Sequence, residues 1–363
     1  MQTGGVMINK GAYGCVFTPP LYCKDEDAMD VPAAEGQVSK IMDLEEATLE
    51  WKLTSAVRDL PLYKNYFIVS EKMCQPAKRK RQTEEELKLC PMLKHEHLGN
   101  FRLLRMQYGG IPLLNYKMSV YRKGFLKFVI HLLEGASILV INGLVHRDLH
   151  KGNILVDDVG VPRIIDFNLA LNMKEPIVKA DMTHMVRYEI LQETPDSALV
   201  NAIDDGKKSD TTIEKIIDSK IFKKIESGLG ISIDEMREEM FQFYENSKST
   251  QSGDVIKWIH IYWHVQDSWA IGVIILTMLM NMSLWRKFAD GSHKEYDDNM
   301  LEILRGMLHV NPQKRMTCIR ALSILNPESE ILELEKAKSF LVADGVRNVA
   351  VARYSSWKRQ SHF

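Results

Sequence analysis

The chain has 363 residues, of which 47 are Lys or Arg and 48 are Asp or Glu, so its formal net charge is −1. Apolar residues make up 45% and charged residues 26%, which excludes a mainly disordered chain and a collagen-like repeat. The length is that of two domains or of one large domain with two lobes. Because no strong charge attracts nucleic acid or an anionic membrane, we expect neither as a partner.

The cysteines give a prediction about covalent cross-links and location. There are five of them, and no two share a C-x-x-C spacing; they are Cys15, Cys23, Cys74, Cys90 and Cys318. An odd number without paired spacing predicts neither a disulfide framework nor a zinc ribbon, and it favours a reducing compartment. The first residues lack a basic stretch followed by a long apolar run, so we expect no signal peptide and a cytoplasmic protein.

The first third of the chain reads as short strands with one helix. A glycine turn over 9–14 predicts a hairpin. Asp43 and Glu46 form a capping box before a helix that Pro61 closes. The predicted strands are 6–8, 15–17, 38–42, 67–69 and 101–106.

The chain reads as helical after Gly109-Gly110. The predicted helices are 125–141, 211–224, 234–244, 268–285, 299–309 and 315–325, and two strand-like runs lie at 154–156 and 163–165. The segment 268–285 has about the minimum length for a membrane span. A helix that is apolar on every face is more often buried in a core, so we predict a core helix and no membrane span.

The most informative residues lie around the two strand-like runs. Asp148 and Asn153 precede them, and Asp166 follows 18 residues after Asp148. A loop, a hairpin and a second loop would bring these three side chains to one end of the hairpin. Asp166 and Asn153 offer the oxygen ligands that Mg²⁺ takes alongside phosphate oxygens, and Asp148 can orient or accept a hydroxyl proton. Phosphoryl transfer needs little more than this.

These residues resemble the catalytic core of the eukaryotic protein kinase family. The run 146–153 matches its His-Arg-Asp-x-x-x-x-Asn, and Asp166-Phe167 matches the start of its Asp-Phe-Gly. Further matches follow the family's order over roughly residues 5–325; they are Gly11-x-x-Gly14-x-Val16, Lys40 on a strand, Asp267-x-Trp269-x-x-Gly272, and Arg315 after Asn311-Pro312.

The resemblance implies an α+β, bilobal protein-kinase-like fold. Residues 1–108 would form a strand-rich lobe that binds ATP. Residues 109–327 would form a helical catalytic lobe with an insert at about 196–254, followed by a tail over 328–363. The implied activity is Mg²⁺- and ATP-dependent transfer of the γ-phosphate to Ser or Thr of a protein substrate.

The resemblance also implies a role for each candidate residue. Asp148 would be the catalytic base or would orient the hydroxyl, Lys40 would hold the α- and β-phosphates, and Asp166 and Asn153 would hold Mg²⁺. Glu45, Glu46 and Glu50 compete to pair with Lys40; Glu50 is favoured because it lies at the edge of the apolar helix face. The nucleotide-binding residues would be Asn9, Gly11, Gly14, Val16, Val38, Lys40, Met106, Gln107, Tyr108, Gly109 and Leu155.

Several residues depart from the family's motifs. Asn9 stands where a first loop glycine is common, and asparagine tolerates a positive φ. His150 in Asp-Leu-His-x-Gly-Asn resembles small-molecule phosphotransferases of the same superfamily, which gives one alternative. Asn168 in place of a glycine gives another, a non-catalytic pseudokinase scaffold. No Ala-Pro-Glu follows Asp166, so either Glu189 or Glu193 would have to pair with Arg315.

A narrower resemblance concerns the source of the chain. The short connection after Lys40 and the sequences at 11–20, 71–74 and 106–110 resemble kinases of large nucleocytoplasmic DNA viruses. This resemblance implies a location in the host cytoplasm or the virion. The oligomeric state and the identity of the substrate stay open.

Overall fold

The computed structural model describes most of the chain. The described residues are 5–11, 14–26, 36–94, 96–118, 122–182, 192–283 and 294–345. They divide into two compact units: the first comprises residues up to 111 together with 165–168, and the second comprises 112–164 and the residues from 169 onwards.

The first unit is built on a five-stranded sheet in the order β1-β2-β3-β5-β4. Its strands are β1 (Val6–Lys10), β2 (Cys15–Thr18), β3 (Gln37–Asp43), β4 (Lys72–Cys74) and β5 (Phe101–Gln107). Its helices are α1 (Leu44–Arg58), α2 (Tyr63–Tyr66) and α3 (Glu84–Leu89), with short 3-10 turns at Arg79–Arg81, Pro91–Leu93 and Leu98–Asn100.

Local sequence explains how this sheet leads into α1. Strand β3 pairs antiparallel with both β2 and β5, which places Lys40 opposite Val16 on one side and Leu104 on the other. The chain then turns directly into α1, where Asp43 Oδ1 accepts a hydrogen bond from the backbone N–H of Glu46 at 2.9 Å. The predicted cap is therefore confirmed, and it fixes the start of α1 relative to β3.

The strand predicted at 67–69 is wrong. Phe67, Ile68 and Val69 are all buried, at 2%, 8% and 4% exposure. Consecutive burial does not fit the alternation of a strand with one face in water. The three residues instead form a core segment after α2, and β5 pairs with β3 on one side and with β4 on the other.

The prediction of no disulfide framework is also wrong. Cys15 is bonded to Cys90 and Cys23 to Cys74, and Cys318 is the buried free cysteine. The number of cysteines is odd because the fifth, Cys318, is buried in the second unit and forms no disulfide. An odd number of cysteines therefore does not exclude two disulfides. The inference of a reducing compartment depended on unpaired thiols and loses that support.

The chain enters the second unit at β6 (Ile111–Pro112). Its further strands are β7 (Leu144–Val145), β8 (Ile154–Val156), β9 (Pro162–Ile164) and β10 (Leu171–Asn172), of which β8 and β9 form a hairpin and β7 pairs with β10. Its helices are α4 (Arg122–Ile141), α5 (Pro195–Asp204), α6 (Ser209–Ile217), α7 (Lys220–Leu229), α8 (Ile233–Asn246), α9 (Lys248–Gln251), α10 (Val255–Tyr262), α11 (Gln266–Ser283), α12 (Lys294–Met307), α13 (Cys318–Leu325) and α14 (335–345). Three 3-10 turns lie at Lys179–Met182, Trp263–Val265 and Glu330–Glu333.

The region 196–254 is more helical than its sequence indicates. The single helix predicted over 211–224 is two helices, α6 and α7, which meet at Asp218 and Ser219. Each half has its own buried face, with Ile213 and Ile216 in α6 and Phe222 in α7. The break therefore lets both short helices bury apolar side chains in the core.

Within the described part of the chain, two stretches are long and apolar enough to cross a membrane, namely 124–141 and 255–283. In their most apolar 18-residue windows, 61% and 72% of the residues are buried inside the protein. They pack as core helices, with Trp269 fully buried in α11. The predicted α+β fold class, with a strand-rich first part and a helical second part, is confirmed.

Candidate active site

Lys40 supplies the positive charge of the candidate site in the first unit. Its Nζ lies 2.6 Å from Glu50 Oε2, and the two side chains are only 15% and 6% exposed. Burial opposes the charged form of Lys40, but Glu50 and Asp166 outweigh it and the pKa of Lys40 lies above its usual value. The ammonium is therefore charged and held in one direction.

Helix geometry explains why Glu50 is the partner. Glu50 shares the buried face of α1 with Ala47, Thr54 and Val57, at spacings of three, four and seven residues. Glu45 lies in the first turn of the helix and is exposed. Burial raises the pKa of Glu50, whereas the charge of Lys40 lowers it, and burial is the larger effect. The close contact with Lys40 is therefore what stabilises the charged carboxylate.

Asp166 lies next to this pair in the same unit. Its backbone has a φ of 65°, a left-handed conformation that is uncommon outside glycine. The neighbouring Phe167 ring packs edge-on against Phe67, with centroids 5.8 Å apart, and so anchors the loop. Among the described residues, the buried atom Asp166 Oδ1 has no hydrogen-bond partner. An orphaned carboxylate oxygen beside an ammonium fits a cation ligand.

The glycine turn is shaped by contact with β3. Gly11 N–H donates to Gly14 O at 2.8 Å, which closes the turn. A Cβ on Gly14 would lie 2.5 Å from Ile41 O, so no other residue fits without moving β3. Asn9 is extended within β1 and does not use the left-handed conformation that its amide would tolerate.

The predicted adenine-binding residues fall into both units. Val16, Val38, Met106 and Gln107 lie on β2, β3 and β5 of the first unit, whereas Leu155 lies on β8 of the second. Val38 is paired with Met106 across the sheet. Tyr108 and Gly109 follow β5, and the backbone N–H of Tyr108 donates to Gly36 O at 2.7 Å, so that donor is already used.

Asp148 and Asn153 form the candidate set of the second unit. Asn153 Nδ2 donates to Asp148 Oδ2 at 3.0 Å and to the backbone oxygen of Asp148 at 2.9 Å. This arrangement fixes the carboxylate and leaves the Asn153 amide oxygen as its possible cation ligand. The backbone before Asp148 is held as well, because buried Asp267 accepts from the N–H groups of His146 at 2.7 Å and Arg147 at 2.9 Å.

His150 is oriented by its own loop. Its Nδ1 accepts a hydrogen bond from Gly152 N–H at 3.0 Å, which leaves the ring proton on Nε2 in the neutral form. Nε2 lies 3.8 Å from Asp148 Oδ2. A Cβ on Gly152 would lie 2.7 Å from the ring, so the glycine is needed for this orientation.

Arg315 has a different ion-pair partner from the two glutamates that the sequence suggested. Arg315 Nη2 lies 2.7 Å from Asp196 Oδ1, and both side chains are fully buried. The prediction of Glu193 is wrong, because Asp196 takes this place. Glu189 lies outside the described residues. The sequence did contain a sign of the start of α5, namely Thr194-Pro195-Asp196. Thr194 is the N-cap, Pro195 lies in the first turn, and Asp196 is the acidic residue of that turn.

Comparisons with known proteins find sequence similarity to kinases, some of them named as serine/threonine-protein kinases. The chain is 27% identical over 215 residues to serine/threonine-protein kinase SSN3 of Candida albicans, which covers 56% of this chain and 34% of that protein. It is 29% identical over 161 residues to the MAP kinase kinase kinase SSK2 of Saccharomyces cerevisiae, covering 44% of this chain and 8% of that protein. It is 27% identical over 217 residues to cyclin-dependent kinase 2 of Caenorhabditis elegans, covering 59% and 53%.

The extent of this similarity is partial. The chain spans about a third of the Candida relative, under a tenth of the yeast relative and about half of the nematode relative. No family model matches the chain.

Proposed function

We propose that this protein is a serine/threonine protein kinase of the eukaryotic type, which transfers the γ-phosphate of ATP to a protein hydroxyl. The observation that carries the proposal is the buried Lys40–Glu50 ion pair with Asp166 beside it. The sequence similarity to several serine/threonine kinases supports it.

The first unit carries most of the residues proposed to bind the nucleotide. Lys40 holds the α- and β-phosphates, and the turn from Gly11 to Gly14 covers the triphosphate with backbone N–H groups. Val16, Val38 and Met106 would contact the base, and the chain from Gln107 to Gly109 would offer its backbone groups other than the engaged N–H of Tyr108. The resemblance gives Leu155 of the second unit a role in binding the base as well. Asp166 of the first unit would hold Mg²⁺, and the resemblance gives Asn153 of the second unit the same role; the metal would neutralise charge on the phosphates.

Asp148 acts on the acceptor. Its carboxylate, fixed by Asn153, orients the serine or threonine hydroxyl and accepts its proton. The hydroxyl oxygen forms a new bond to the γ-phosphorus, the bond from that phosphorus to the bridging oxygen breaks, and ADP leaves with the electron pair. Positioning and charge neutralisation supply most of the catalysis in such a transfer.

The test is Asp148→Asn, assayed with radiolabelled ATP on mixed protein acceptors and with mass spectrometry to identify the modified residue. We expect a loss of transfer of about 10³-fold or more with nucleotide affinity nearly unchanged, because the amide cannot accept the proton. Asp158→Asn, an exposed aspartate in the turn of the same hairpin, is the matched control and should stay active. Undiminished transfer by Asp148→Asn would refute the role.

A second candidate is a small-molecule phosphotransferase, which the oriented His150–Gly152 pair favours. Activity on metabolites or antibiotics, with none on proteins, would select it. Nucleotide binding without turnover on any acceptor would indicate a pseudokinase scaffold. The proposal also groups the chain with kinases of large nucleocytoplasmic DNA viruses, on the sequences at 11–20, 71–74 and 106–110.

A further inference from the structure

Two cysteines and one aspartate of the first unit lie close enough together to share a metal ion. Cys23 follows β2, Asp25 lies two residues further on, and Cys74 is the last residue of β4. The two sulfurs and a carboxylate oxygen of Asp25 all lie within 4.8 Å of one another. No other three Cys, His, Asp or Glu side chains come this close in the part of the chain that the structure describes. Zn²⁺ is bound by this ligand type, with Cys sulfur at about 2.3 Å and carboxylate oxygen at about 2.0–2.2 Å.

The backbone holds the two cysteine segments together independently of the disulfide. Cys23 forms an isolated antiparallel bridge to the chain that follows Cys74. On one side of this bridge, the N–H of Lys24 donates to the backbone oxygen of Gln75 at 2.8 Å. On the other side, 22 and 77 are joined in the same way at 2.8 Å. Reduction of the S–S bond therefore leaves two thiols side by side.

Reduction turns these cysteines into metal ligands. A dithiol reductant supplies two electrons and two protons, is itself oxidised to a disulfide, and leaves Cys23 and Cys74 as thiols. Zn²⁺ then displaces both protons to water, because the thiolate is the form that binds metal. The third ligand is already charged, since a backbone hydrogen bond and Lys72 hold the pKa of Asp25 below its usual value.

The charges around the site suit a divalent cation. Two thiolates and one carboxylate exceed the charge of Zn²⁺ by one negative charge, which Lys72 Nζ balances from 3.3 Å away from Asp25 Oδ2. Glu26 is not a further ligand, because its Oε1 lies 2.6 Å from Arg105 Nη1 and its Oε2 accepts from the N–H of Cys23 at 3.1 Å. Water would therefore take the fourth position of a tetrahedral ion.

We propose that Cys23, Cys74 and Asp25 form a redox-controlled Zn²⁺ site, which the disulfide closes in the oxidised chain and which takes one Zn²⁺ in the reduced chain. The bound metal holds the segment after β2 to β4 in place of the disulfide. The other disulfide offers no such site, because Cys15 and Cys90 lie in an apolar cluster. The inference does not depend on the proposed kinase function. Mg²⁺ is excluded because it takes oxygen ligands and not thiolates.

The first test measures Zn²⁺ binding by the full chain in competition with a chromophoric chelator. The chain is reduced with dithiothreitol, which is then removed without air. We expect one Zn²⁺ per reduced chain, none in the oxidised chain, and no displacement by excess Mg²⁺.

Asp25→Asn in the reduced chain tests the third ligand, and its side chain is 66% exposed, so the variant should fold. Its Zn²⁺ affinity should fall by about tenfold or more, since even the residues that hold metal ligands account for such a factor. Asp59→Asn, an exposed aspartate of the same unit, is the matched control and should bind like the unaltered chain. Equal affinities of the two variants, or Zn²⁺ bound by the oxidised chain, would overturn the proposal.

The second test identifies the ligands with Co²⁺ as the probe. The reduced chain should show thiolate-to-Co²⁺ absorption in the near ultraviolet, and the Cys23→Ser, Cys74→Ser double variant should not. In the unaltered reduced chain, Zn²⁺ should slow alkylation of the partly exposed Cys74, as mapped by mass spectrometry, and leave Cys15 and Cys90 unaffected. A Co²⁺ complex without thiolate absorption, or Cys74 alkylated equally fast with and without Zn²⁺, contradicts the site.

Discussion

At the scale of single residues, the Lys40–Glu50 pair balances two opposing effects. Taking an ammonium and a carboxylate out of water costs free energy, and their attraction at 2.6 Å returns it. Such a pair adds little net stability over apolar residues of the same size. Removing one member is different, because it leaves the other as an uncompensated buried charge.

This asymmetry predicts the effect of Glu50→Gln. We expect the free energy of unfolding to fall by about 3 kcal/mol, because the buried ammonium of Lys40 loses its nearest counter-charge. The KM for ATP should rise about tenfold as the ammonium loses its fixed direction. Urea denaturation and steady-state kinetics measure the two effects. Glu45→Gln, in the exposed first turn of the same helix, should change neither quantity, and equal behaviour of the two variants would contradict the assignment.

Sequence reasoning works at the residue scale where a role depends on local spacing. Glu50 could be predicted because helical periodicity alone places it on the buried face of α1. Asp196 could not be predicted in the same way, since its partner Arg315 lies 119 residues away.

At the scale of elements, the Asp196–Arg315 pair ties the start of α5 to the chain before α13. Thr194 caps α5 by accepting from Ser197 N–H at 3.2 Å, and Gln266 links Asp196 to the start of α11 at 3.2 Å. Arg315 Nε also donates to the backbone oxygen of His309 at 2.8 Å. One buried charge pair therefore holds three elements of the second unit.

Asp196→Ala should consequently be severe. We expect the free energy of unfolding to fall by about 3–5 kcal/mol and the melting midpoint by about 10 °C, because Arg315 has no route to solvent. Calorimetry on the full chain measures both. Asp205→Ala, just after the same helix, removes only a surface contact to Lys207 and should cost under about 0.5 kcal/mol. A small effect of Asp196→Ala would mean that the pair is not structurally required.

The boundaries of helices and strands could be predicted where neighbouring residues set them through caps and turns. They could not be predicted where tertiary packing sets them. The Asp43 cap and the glycine turn are set by neighbouring residues, and both occur as predicted. The buried segment 67–69 and the division of 211–224 into two helices depend on what each apolar side chain packs against. Burial by neighbours outweighed strand or helix propensity at these places.

At the scale of the whole molecule, covalent cross-links are confined to one unit. The two disulfides join positions 75 and 51 residues apart within the first unit, and the remaining cysteine, Cys318, is buried in the second. Cys15 follows Gly14 directly and pairs across the sheet with Ile41, next to Lys40. The cross-link from Cys15 to Cys90 therefore restrains the strand that carries the end of the glycine turn.

This distribution predicts a regional response to reduction. Closing loops of this length removes about 4 kcal/mol of unfolded-state freedom for each disulfide, so dithiothreitol should destabilise the first unit. Hydrogen exchange read by mass spectrometry should rise over 15–107 and stay nearly constant over 195–283. Under denaturing conditions without reductant, alkylation should label Cys318 alone, and with reductant all five cysteines. Labelling of all five without reductant would show that the disulfides do not form. The Cys318→Ala variant is the control: without reductant it should give no label if both disulfides form and four labels if neither does.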